Sequence, residues 1–228
     1  RTIERNVKNR DAWGMLLEVE DSNSPLLMYR LGKVMELPKQ VIEQIKLNFP
    51  NQQNTHSHWS TKVNQAFGMQ NLNGKWHDFN QHIDQHTLDY LSMSVDMIDS
   101  KGYTQVISSE KLTEIHEKIS NLRQDAIDSD ELDESFKKII SVYLQKILSA
   151  IDEYKISGAV PIMENIEQTL GRTFFDEAYR ATIQRTQFGE KLLTTLTFVA
   201  DITTISLGLP QISDGLQALL AISDAVDV

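Results

Sequence analysis

The chain has 228 residues, no cysteine, and 22 Lys and Arg against 32 Asp and Glu, a formal net charge of −10 at pH 7. That length fits one large domain or two small ones, with enough chain to bury a core without disulfides or structural metal. The acidic balance argues against a nucleic-acid binder and against attraction to anionic membranes, and the lack of cysteine excludes disulfides, thiol catalysis and thiolate-bound zinc.

The first apolar cluster, Trp13 to Val19, is short and broken by Glu18, so no amino-terminal signal peptide is expected. A cysteine-free chain suits a reducing compartment, and the expected location is cytoplasmic. Ser24 and Pro25 read as an N-cap and first helical position. Pro38 reads as the restart of a helix after Leu37, and Pro50 as its close after Phe49. Trp59, Val63 and Phe67, four apart, mark the next helix. A further helix is expected after Gly74, with Trp76, Phe79, Ile83, Tyr90 and Ser94 as its core stripe.

Tyr103–Ile107 is the best strand candidate, although Gly102 before it makes a connecting loop an equal reading. Leu112, Ile115, Ile119 and Leu122 then outline one helix face. Phe136, Ile140, Tyr143, Ile147, Ile151 and Tyr154 outline another. Gly68, Gly74, Gly102, Gly158, Gly171, Gly189 and Gly208 each fall near the end of a periodic run, where a left-handed residue is expected. The fold class that follows is all-α: an irregular bundle of about ten helices closed by a buried apolar carboxy-terminal helical hairpin. Residues 1–228 read as one domain. The composition offers one weak subdivision near 129, between 1–128 and 129–228.

One constellation points to metal chemistry. Asp78, His82, His86 and Asp89 fall within about an 80° arc if they share one helix, and imidazole with carboxylate suits a divalent transition metal. The alternative is a solvated polar face beside the core stripe. No Glu-x-x-His or zincin pattern accompanies the strip.

Asp125, Asp128, Asp130, Glu131, Asp133 and Glu134 put six acids into ten residues. The EF-hand pattern fails there, with Leu132 and Asp133 where a ligand and a glycine are needed. The stretch reads as a linker ending in the acidic first turn of a helix. It also holds much of an uneven charge: residues 92–135 carry eleven acids against four bases.

From Leu192 to Ile222 only Asp201 and Asp214 are charged. The uncharged stretches are too short for a spanning helix, so a buried hairpin is expected before a partner-covered, self-associating or membrane-inserting segment. No Walker loop, dinucleotide glycine pattern or nucleophile elbow is present. The expected function is therefore a non-enzymatic protein-interaction module (adaptor, inhibitor or immunity-type partner). Its partner is another protein of basic character, steered by Asp125, Asp128, Asp130, Glu131, Asp133 and Glu134. The alternatives are a metal-dependent enzyme using the Asp/His strip and a membrane-acting effector using 192–222.

Overall fold

The structure, a computed structural model, describes residues 3–52, 54–100 and 105–208. Among these the chain forms eleven α-helices and two short 3-10 turns, and no strand. The architecture is all-α, and the chain divides into two compact units, Arg1–Gly102 and Tyr103–Val228. Position 129 lies inside the second unit, where the helices on either side share one core.

The first unit contains α1 (Asn9–Leu16), α2 (Pro25–Asn48), α3 (Ser57–Met69), α4 (Trp76–Asn80) and α5 (Gln85–Asp99). Ser24 and Pro25 start α2 as their spacing predicts. Pro38 restarts nothing, because α2 runs through it without a break. An internal proline removes one donor and crowds the preceding turn, at a cost of about 3 kcal/mol. Leu27, Leu31, Pro38 and Ile45 are all buried, so core contacts on both sides of the proline keep the two halves of α2 in line.

Trp13 centres an aromatic cluster. The rings of Trp76 and Phe79 meet it edge-on at 5.3 and 5.2 Å, and Phe67 stacks at 6.0 Å. Its indole N–H donates to Gln70 Oε1 at 3.1 Å, so the one polar atom of this buried ring is satisfied. Trp59, fully buried, likewise donates to Ser94 Oγ at 3.1 Å and ties α3 to α5. The amino-terminal segment is fastened by backbone bonds. The amides of Asn9, Arg10 and Trp76 donate to the carbonyls of Gly74, Leu72 and Val7 at 2.9, 3.0 and 2.7 Å. Past the end of α1, Glu18 takes a left-handed conformation at φ 54°. Arg30 of α2 reaches back to donate to the Leu17 carbonyl at 2.7 Å, filling an acceptor that the helix end leaves open.

The second unit contains α6 (Ser109–Asp128), α7 (Glu134–Asp152), α8 (Tyr154–Ser157), α9 (Val160–Gly171), the 3-10 turn Arg172–Phe174, α10 (Glu177–Arg185) and α11 (Gln187–Ser206). α6 packs on α7, α7 on α9, α9 on α11 and α11 on α6, closing a ring of four. Their directions follow from cross-links. His116 pairs with Asp152 at 3.4 Å, Lys146 donates to Gln168 at 3.0 Å, and Lys191 pairs with Asp125. Each bond joins the early part of one helix to the late part of its neighbour or the middle of α7 to α9, giving an up-down-up-down bundle. α8 and α10 lie within its connections.

The core is built from the faces that periodicity marks: Ile115, Ile119 and Leu122 of α6, and Phe136, Ile140, Ile147 and Ile151 of α7. The α7 face stops short of Tyr154, which opens α8 and accepts the Ile107 amide on its hydroxyl at 2.7 Å. Residues 105–107 form no strand. Gln105 is clasped to Ser206, N–H to carbonyl at 3.2 Å and Ser206 hydroxyl to the Gln105 carbonyl at 2.6 Å. Tyr103 and Thr104 lie outside the described residues.

The first arm of the expected carboxy-terminal hairpin is α11, with Leu192, Leu196, Val199 and Ala200 buried in the core. Its second arm, beyond Gly208, lies outside the described residues. Among the described residues no helix is long and apolar enough to cross a membrane.

Gly158 and Gly208 are the described glycines with positive φ, 68° and 66°; Gly158 pairs it with ψ −161°, a region open to glycine rather than the left-handed helical one expected. Gly189 has a different reason. It sits in the first turn of α11, and a Cβ there would lie 1.9 Å from the Ile183 carbonyl oxygen. Two backbones meet at that point, so no side chain can give way. Gly189→Ala is expected to destabilise the chain by about 3 kcal/mol, read as a lowered urea midpoint. Glu18→Gly, which relieves a left-handed non-glycine residue, is expected to stabilise the chain by about 1 kcal/mol, read as a raised midpoint.

Candidate functional site

The Asp/His strip is not carried by one helix. α4 ends at Asn80, a turn follows, and α5 starts at Gln85 after its N-cap Asp84. Asp84 breaks the run because its carboxylate accepts both the Thr87 amide at 2.7 Å and the Thr87 hydroxyl at 2.8 Å. Asp78 lies in α4, His82 in the turn, and His86 and Asp89 in α5, so the helical arc that aligned them does not exist. Asp78 caps α4 by accepting the Lys75 amide at 3.3 Å. Asp89 accepts from Gln85 at 2.9 Å. Among the described residues no group of three or more His, Asp or Glu side chains is placed to hold one metal ion.

The acidic stretch forms the corner between α6 and α7, and its members divide by task. Asp125 pairs with Lys191 and ties α6 to α11. Glu131 accepts the Phe188 amide at 2.8 Å, satisfying an open donor in the first turn of α11. Asp133 is the N-cap of α7 and accepts the Phe136 amide at 2.9 Å. Glu134 pairs with Lys137 at 3.2 Å. Among the described residues Asp128 accepts only from the neutral Gln124, at 2.8 Å, and Asp130 is exposed to solvent. The exposed Ile127 sits between these last two and Asp125. Part of the stretch is thus fold chemistry, and Asp128 and Asp130 carry the surplus charge.

A second place in this unit was not marked by sequence reasoning. Tyr143, Gln168, Gly171, Arg172, Phe175 and Asp176 line an open cleft of about 450 Å³. Arg172 is fixed at its base. Nε and Nη2 donate to Asp176 Oδ2 at 3.0 and 2.8 Å, and Nη1 donates to the Tyr143 hydroxyl at 3.4 Å. The guanidinium also lies 5.7 Å from the Tyr179 ring centre. These bonds to Tyr143 and Asp176 raise the Arg172 pKa above its already high ordinary value.

Asp176 is the N-cap of α10. The Tyr179 amide, then Arg172, hold its carboxyl below the usual 3.8. Burial pushes the Tyr179 phenol far up, and its hydroxyl donates to the Thr169 carbonyl at 3.3 Å. Phe175, which lines the cleft, is 92% exposed, and Phe174 before it in the chain is 58% exposed. The available signal in the sequence was two adjacent aromatics, off any helical period, between Arg172 and an N-cap aspartate.

Comparison with protein-family models, curated proteins and solved structures finds no match.

The division of tasks can be measured. Asp133→Ala is expected to cost about 1 kcal/mol in stability, and Asp130→Ala to stay within about 0.5 kcal/mol, both from denaturant titration at neutral pH. The capping aspartates also set the acid limb. Asp84 and Asp176 have depressed folded values, Asp84 chiefly through the Thr87 amide. Their contribution is therefore complete above the ordinary value of 3.8 and is lost as the pH falls through the lower folded values. In the Asp84→Asn, Asp176→Asn double variant, thermal midpoints are expected to fall less steeply below about pH 4 than in the parent.

Proposed function

We propose that this chain is a non-enzymatic protein-interaction module that binds another protein through its second unit. The observation that carries the reading is the exposure of Phe175 beside Phe174 at the rim of the Arg172 cleft. The same unit buries Phe136, Tyr179 and Phe188 almost completely, so its core has no need of two further rings in water. Rings left exposed next to a fixed arginine and tyrosine have the composition of an interface hot spot.

The acidic corner supplies the second component. Asp128 and Asp130, with the flanking acids, create a field that speeds the approach of a basic partner, while affinity rests on the aromatic rim. Adaptor, inhibitor and immunity-type roles all fit that division.

Phe175→Ser should accelerate dissociation of the partner complex, and Asp128→Lys with Asp130→Lys should slow association, when both are measured by surface plasmon resonance. Raising the salt from 50 to 300 mM should slow association of the parent, screening lengths falling to about 6 Å. Salt-independent association would remove the steering role, and an unchanged complex with Phe175→Ser would remove the rim.

A further inference from the structure

We propose that the Arg172 cleft binds a carboxylate, and specifically the carboxy-terminal carboxylate of a partner polypeptide. The inference deepens the reading of this rim as a contact surface, and rests on it.

The hydrogen-bond inventory selects the ligand. Arg172 has five N–H donors, and the bonds to Asp176 and Tyr143 use three of them. Two remain. The Tyr143 hydroxyl accepts from Arg172 and keeps its own proton to give, with no acceptor for it among the described residues. Gln168 spends its carbonyl oxygen on Lys146 at 3.0 Å, which leaves its amide N–H groups as donors. The acceptors of the cleft are already engaged: Asp176 Oδ1 takes the Tyr179 amide at 3.0 Å, and Oδ2 takes Arg172 twice. A cleft with donors to spare and its carboxylate occupied matches a group that only accepts, and an ionised carboxylate is that group.

Charge and shape agree. Among the lining residues Arg172 and Asp176 balance, and Lys146 adds a positive charge beside Gln168, within a chain of net charge −10. Asp176 cancels the charge of Arg172 without covering it, and orients its guanidinium as a rigid fork. The exposed Phe175 ring supplies an apolar wall for the last side chain of a peptide. Gly171 lines the cleft beside open space, since a Cβ there would meet nothing within 4 Å. The acidic corner does not prevent such binding. Glu134 and Tyr143 are nine residues apart on α7, about 13 Å along its axis, beyond the screening length of about 8 Å at physiological ionic strength.

The test is an NMR titration of the full chain at physiological ionic strength with three probes: N-acetyl-Leu-Phe with a free carboxylate, its carboxamide, and benzoate. The acid is expected to bind about tenfold or more tightly than the amide, shifting the Arg172 Nε–H resonance. It is also expected to bind more tightly than benzoate, which lacks the peptide body. Gly171→Leu, which adds a bulky side chain to the lining while leaving the residues bonded to Arg172 in place, should abolish the difference between acid and amide. Tyr143→Phe should reduce it, and a retained amide spectrum confirms that each variant is folded.

Equal affinity for acid and amide, no saturable shift with either, or selectivity that survives Gly171→Leu would overturn the proposal. Benzoate binding as tightly as the peptide would overturn the chain-end assignment and make the cleft a small-carboxylate site. The titration needs no natural partner. Failure here with a partner complex still sensitive to Phe175→Ser removes the carboxylate alone, whereas a complex indifferent to Phe175 removes the contact surface itself.

Discussion

The second unit depends on the burial of one face of α11 between α6 and α9. Phe188, Leu192, Leu196, Val199 and Ala200 run along that face, and among the described residues α11 is the helix that closes the ring of four. Each large side chain fully removed from water contributes roughly 1.5–3 kcal/mol before conformational entropy is charged against it. Polar groups on the same face are satisfied locally: the buried Thr203 donates its hydroxyl to the Val199 carbonyl at 2.7 Å, as a buried hydroxyl must. The start of α11 is positioned as tightly. Thr186 caps it, Gly189 lets it touch the end of α10, and Asp125 and Glu131 hold it from the acidic corner. The most highly charged stretch of the chain is thereby fastened to the least charged one.

That arrangement explains what could be read in the sequence. The stripes of α6 and α7 were legible because both helices bury one face against one core, and periodicity reports that directly. The apolar, nearly charge-free run from Leu192 announced a buried helix for the same reason. Pro38 misled because a local rule about a missing donor says nothing of the core contacts at Leu31 and Ile45 that carry α2 past it. The Asp/His strip misled in the opposite sense. A helical wheel assumes continuity, and Asp84 ended the wheel by bonding to Thr87. In the acidic stretch, composition located the corner but could not assign its tasks. Which acids cap, pair or project depends on where α11 starts, more than 50 residues later in the chain.

The cleft was illegible for a related reason. Tyr143 lies on the marked face of α7 and by spacing alone is one more core aromatic. It becomes part of a site only because α9 ends opposite it and the following turn brings Arg172 within reach. No local pattern encodes that meeting of residues 29 positions apart. The Phe174–Phe175 pair was the visible trace: two rings that no helical face could bury together, at a point where the chain changes direction.

The clasp between Gln105 and Ser206 has a topological consequence. It joins residues 101 positions apart, so the chain enters and leaves the four-helix ring at nearly one point. A module whose entry and exit adjoin can be inserted into a loop of another protein, or carry material at either side, without forcing its host to span the length of the bundle. The backbone hydrogen bond and the serine hydroxyl at the clasp hold that entry and exit side by side.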